Sequence, residues 1–131
     1  MAIEYPAVER VIEFNVLVLT MIKAKKSDAP HVLSRQKIAH AIEECKMAEG
    51  DICRKAAVLM RALVAAHAFA SGNRRTAFVA AKAFVIENGG KFAIKDDPAH
   101  AKVMQGMREG YYKDEEIAEW MRNGKIREFR R

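Results

Sequence analysis

Apolar residues recur at helical spacing along nearly the whole chain. Val8, Val11, Ile12, Val16, Leu19 and Ile22 keep the three-and-four rhythm of one buried face and predict a helix from about Pro6 to about Lys25. Proline suits the first turn of such a helix, where its missing N–H goes unused. The segment Lys26 to His31 breaks the rhythm and reads as a mobile loop. A second helix follows from about Ser34, with Ile38, Ala41, Ile42 and Cys45 on one face and Gly50 ending it. Asp51 caps a third helix that reaches Ala66 and carries Ala56, Ala57, Leu59, Met60, Leu63 and Val64. A fourth opens at Asn73 and stops at Asn88-Gly89-Gly90. That fourth helix is apolar on almost every side, the pattern of a helix at the centre of its bundle.

Lys91 to Lys95 reads as an extended connection. Asp97 then caps a helix whose first residue is Pro98, and Gly110 ends it. A last helix is capped near Asp114, anchored by Ile117 and Trp120, and stopped at Asn123-Gly124. Strand-like alternation is nearly absent. The expected fold is all-α, a single domain over residues 1–131 built as a helical bundle around a buried central helix.

Composition changes this picture little. Half of the 131 residues are hydrophobic and only three are proline, which excludes a disordered chain. The formal charge is +6, which suits nucleotides, nucleic acid or an acidic partner alike. Much of the excess lies in Lys125, Arg127, Arg130 and Arg131, which read as a solvated tail. Cys45 and Cys53 have no ligand-spaced partners and read as free thiols. The run Val16 to Ile22 is too short to cross a bilayer, and no leader pattern opens the chain, so a cytoplasmic protein away from membranes is expected.

The candidate chemistry lies in H-A-F-A-S-G-N-R-R-T-A, His67 to Ala77. With Asn73 as N-cap, Arg74 and Arg75 fall in the first turn of the fourth helix. There the helix dipole disfavours a cation by roughly 0.3–1 kcal/mol each. A bound polyanion reverses that cost. Gly72 permits a positive φ, so that successive N–H groups can face one concavity. Each residue also has an ordinary reading. His67 could be a core histidine, Ser-Gly-Asn a plain turn, and the arginines partners of surface carboxylates; Phe69 reads as a packing anchor.

The eleven-residue run resembles the signature of the Fic/Doc family, H-x-F-x-[DE]-G-N-[GK]-R, and more closely its Doc branch. Lys55-Ala56-Ala57, the helix ending Glu87-Asn88-Gly89 and the closing Asp114 to Met121 are similar to that family's core and terminal helix. The resemblance implies a Fic/Doc-like helical bundle that moves a group from ATP, or another nucleotide, to a protein hydroxyl. On this basis His67 is the general base, Gly72 and Asn73 form the anion hole, and Arg75 binds phosphates and supports catalysis. Arg74 falls where AMP transferases of the family have glycine and Doc has lysine, and Phe78 replaces their second arginine. Both favour a kinase-type reaction. In that branch the protein substrate is a translation elongation factor and a separate antitoxin restrains the toxin. The family's Mg²⁺-holding acid is Ser71 here, and a hydroxyl is a far poorer ligand for a hard cation than a carboxylate.

The sequence therefore leaves three readings: a Doc-like phosphotransferase, a Fic-type AMP transferase, and a catalytically silent module holding a nucleotide or partner. A nucleic-acid-binding bundle ranks last, since no recognition helix stands out. Cys45 to Gly50 approaches the family's self-inhibitory pattern, with cysteine in place of the hydroxyl residue. Lys26 to Leu33 is, by position alone, the candidate for the flap that docks a target.

Overall fold

One helix, Ile52–Ala66, turns nearly every side inward. Between Cys53 and Val64 only Arg54 and Arg61 stay outside its buried set. The computed structural model describes residues 2–21 and 29–130. Its elements are α1 (Val8–Met21), α2 (Arg35–Met47), α3 (Ile52–Ala66), α4 (Asn73–Glu87), α5 (His100–Arg108) and α6 (Asp114–Asn123). No strand occurs among the described residues; an isolated antiparallel bridge joins Val32 and Phe69. The fold is all-α, as the periodicity predicts. No helix among the described residues is long and apolar enough to cross a membrane.

The centre is α3 rather than α4. Helices α2, α4, α5 and α6 all pack on α3, whereas α4 packs on α3 and α1. Fully buried Leu59 and Met60 on α3 each contribute about 1.5–3 kcal/mol by leaving water. The apolar girth of α4 has a different cause. Ala77, Ala80 and Ala81 are buried where α4 lies close against its neighbours, while Ile86 on another side is 53% exposed. Alanine there marks close approach, which a hydrophobicity pattern cannot tell from centrality.

The caps explain why the boundaries of α2 and α3 follow the sequence. The Ser34 side chain accepts a hydrogen bond from the Lys37 amide, and that of Asp51 from the Arg54 amide at 2.9 Å. Buried Lys55 donates from Nζ to the carbonyls of Lys46 and Ala48, closing the C-terminal end of α2. The first helix starts at Val8, later than expected, and is described to Met21; residues 22–28 lie outside the described residues, and with them the expected C-terminal end of this helix and half of the loop expected over Lys26 to His31. Asp97 does not cap α5 directly. Its side chain accepts from Ala99 across a turn at Pro98, and the helix starts at His100. The cap of α6 is likewise Lys113, one residue before Asp114, with the Glu116 side chain accepting from the Lys113 amide.

The basic tail is docked, not merely solvated. Arg127 bonds Glu116 and lies over the Tyr111 ring at 4.0 Å, and Tyr112 Oη donates to the Arg127 carbonyl at 2.9 Å. Phe129 is buried above Gly106, where a Cβ would come within 2.8 Å of its ring. Lys102 of α5 pairs with Glu128. This stretch straps α5 to the body. Arg131 lies outside the described residues.

Both cysteines are free and buried, as expected, and burial pushes the Cys45 thiol up to about 12. Cys45 begins the stretch that approaches the inhibitory pattern, which lies at the N-terminal end of α3. His67 follows its C-terminal end, on the order of 20 Å away by helical rise. That separation removes it as a brake on the motif.

Arg122 holds Asp51 through two hydrogen bonds of 2.9 and 2.8 Å and also engages Glu115 and Glu119. The Arg122 hydrogen bonds keep the Asp51 carboxyl below its usual range. Its ionised form therefore stabilises the fold fully above an unfolded value of about 3.9, and this is lost as pH falls through the lower folded value. Asp51→Ala is expected to cost about 1 kcal/mol at neutral pH through the lost cap. The deficit in urea midpoint should shrink toward pH 2; a deficit that grows on acidification contradicts this role.

Candidate active site

The chain leaves α3 through a residue in an unusual conformation. His67 has φ 47° and ψ 51°, the one non-glycine residue with positive φ among those described. Its ring is exposed, not packed in the core as the ordinary reading had it. A non-glycine residue in this region costs about 1–2 kcal/mol, a strain that collects at functional sites. Phe69, 2% exposed, is the inward anchor expected.

Asn73 does not cap α4. It is the first helical residue, and the N-cap is Gly72 with φ 78°, which offers no side-chain cap. The Asn73 amide instead grips the turn behind it. Oδ1 accepts from the Phe69 amide at 3.0 Å, and Nδ2 donates to the Phe69 carbonyl at 2.8 Å. Nδ2 also lies 3.3 Å from His67 Nδ1. Since Nδ2 is a donor, neutral His67 keeps its lone pair on Nδ1 in this geometry. Taking a proton at Nε2 requires the other tautomer and release of this long contact. Without a cap, the amides of the first turn of α4 stay open toward solvent, the arrangement that receives anions.

A second asparagine, which the sequence reading missed, holds the turn from below. Asn15 on α1 is 1% exposed and donates from Nδ2 to the Ser71 carbonyl at 2.9 Å, within 3.1 Å of Thr76 Oγ1. Gly72 sits so close to α1 that a Cβ would meet Leu19 at 3.2 Å and Asn15 at 3.3 Å. A polar residue between Phe14 and Val18, on a face that is otherwise buried, was the available signal.

His67, Ser71, Gly72, Asn73, Arg74 and Arg75 all line one cavity of about 670 Å³. The sequence-selected residues are thus brought together. The opposite wall is α5, which no motif pointed to: His100, Lys102, Gln105 and Arg108 also line the space. Phe78 fastens that wall to α4, its ring stacked on His100 at 4.5 Å and 11°. From the loop expected to form a flap, the described part runs beside the site. The Leu33 amide donates to the Ala68 carbonyl at 2.8 Å, and the Ala70 amide to the His31 carbonyl at 3.0 Å.

Charge separates this cavity from the rest of the surface. Arg10, Arg35, Arg54, Arg61, Arg122, Arg127 and Arg130 each bond a carboxylate. Arg74, Arg75 and Arg108, the remaining described arginines, bond none among the described residues, and all three line the cavity. The reading in which Arg74 and Arg75 pair with surface acids therefore fails. Among the described residues no carboxylate lines the cavity, and no group of three His, Cys, Asp or Glu could hold a metal. Ser71 brings only a neutral oxygen, so the donor set fits an anion and does not fit Mg²⁺.

A family model described as the Fic/DOC family matches residues 17–85, more than half of the chain. The chain belongs to the Fic/DOC family. No curated protein matches it. The Fic/DOC match runs from the last residues of α1 through most of α4 and so includes the turn with His67 and Arg75. It ends before α5, so the second cationic wall lies outside it.

Two substitutions probe the turn. Asn15→Leu strips the buried Ser71 carbonyl and Thr76 hydroxyl of their partner and should cost about 1–3 kcal/mol in chemical denaturation. An unchanged midpoint contradicts the clamp. His67→Gly should raise the thermal midpoint by a few degrees, since relief of about 1 kcal/mol moves a domain of this size by roughly that much. Destabilisation by that change would show that the left-handed residue carries no strain.

Proposed function

We propose that this protein is a Doc-branch phosphotransferase that moves the γ-phosphoryl group of ATP to a hydroxyl on a protein. The observation that carries the reading is the cavity at the uncapped start of α4, where unpaired Arg74 and Arg75 face a strained His67. His67 takes the proton of the attacking hydroxyl, that oxygen bonds phosphorus, and the bond to the β-phosphate oxygen breaks, releasing ADP. Arg75 and the first amides of α4 stabilise the charge that develops. No step is assigned to a divalent metal, because the donor set does not suit one.

Two features favour phosphoryl over AMP transfer. Arg74 brings a bulky cation to the phosphate cradle, at the position the resemblance gives to lysine in Doc. Phe78, at the position of the AMP transferases' second arginine, also lines the cavity but brings no charge to it, its ring packed on His100 and Trp120. The acceptor class of that branch is a translation elongation factor, and its partner a separate antitoxin; both belong to this proposal. A second reading, a silent nucleotide-holding module, draws on the absence of any acid among the described residues that line the cavity.

The full chain, incubated with a nucleotide-depleted cell extract, is supplied with α- or γ-labelled ATP in parallel. Protein should acquire label from the γ position only, and His67→Ala should reduce incorporation by about 10²–10⁴-fold. Label from the α position instead indicates AMP transfer. No label from either favours the silent module, and undiminished transfer by His67→Ala removes the proposed base.

A further inference from the structure

We infer that the cavity takes its polyphosphate as the metal-free anion, with Arg108 on α5 and Arg74 and Arg75 on α4 supplying the neutralisation that a divalent cation provides elsewhere. This rests on the nucleotide reading and deepens it.

Two independent observations carry it. The first is the donor set: among the described residues a hydroxyl, side-chain amides and imidazoles, with no carboxylate, line the space. A hard dication finds no anionic oxygen there from the described residues. It also meets uncompensated guanidinium charge, whose repulsion is less screened at a half-closed site than in bulk water.

The second is the placement of the unpaired arginines. Arg74 and Arg75 belong to the first turn of α4 and Arg108 to the last turn of α5, so cationic groups line the cavity from two separate helices. Position in the last turn favours any cation and accounts for the charge type at Arg108. It does not account for an arginine left without a carboxylate in a protein whose other described arginines outside this cavity are all paired. Lys102 on the same helix is a weaker candidate because Glu128 already holds it at 3.1 Å. Guanidinium groups also match phosphate oxygens in pairs, which an ammonium cannot do. Helix α5 lies beyond the residues that the family model matches.

Calorimetric titration of the full chain with ATP, and with AMP for comparison, in EDTA and again in excess Mg²⁺, tests the inference. ATP should bind in EDTA at least about tenfold more tightly than AMP, and Mg²⁺ should leave its affinity unchanged or weaken it. Arg108→Gln should weaken metal-free ATP binding by about tenfold, with partial recovery in Arg108→Lys. Arg130→Gln, at a paired arginine outside the cavity, should change nothing. ATP binding that appears only with Mg²⁺ overturns the metal-free mode while leaving the nucleotide reading in place. Full affinity in Arg108→Gln overturns the role of α5. Absence of ATP binding under both conditions overturns this inference and the nucleotide reading together.

Discussion

The site depends on a turn held by asparagine amides from two sides. A turn that leads into a helix usually satisfies the first amides of that helix with its own side chains. Here the nearest amide, Asn73, is spent backwards on Phe69, and Asn15 reaches up from α1 to the Ser71 carbonyl. The turn is thereby fixed without consuming the donors that face the cavity. Gly72 makes this feasible, because its left-handed conformation and its close approach to Leu19 exclude a side chain. The strain at His67 persists because both ends of the same turn are tied.

Electrostatics follows from that construction. The formal charge of +6 says little by itself. Most arginines are locally compensated, and Arg122 alone engages Asp51, Glu115 and Glu119. What distinguishes the cavity is the absence of compensation, with cations placed at a helix start where they are individually unfavourable. Such an arrangement lowers the stability of the empty protein and is relieved by an anion.

The parts of this arrangement differ in how far the sequence discloses them. Helices α2 and α3 begin where Ser34 and Asp51 stand, because a cap is a local interaction between residues three apart. The motif turn was legible for the same reason, since its chemistry lies within eleven consecutive residues. Asn73 was assigned to the wrong bond because an asparagine amide can reach forward or backward, and composition does not choose between them. The centrality of α3 depends on which helices surround it, whereas the sequence displays only how apolar each one is. Arg108 was invisible for a deeper reason: whether an arginine is unpaired depends on where every carboxylate ends up. That is a property of the folded surface.

The docking of Phe129 over Gly106 has a consequence for ligand choice. The half of the cavity that carries the motif is set in the densely packed α3–α4 junction. The facing half is a nine-residue helix resting on α3 and tied down by the aromatic strap after α6. The breadth of the cavity therefore depends on how α5 and its strap are held, and not on the motif alone. Selectivity for the size of a ligand can drift through changes in that strap while the motif turn stays intact.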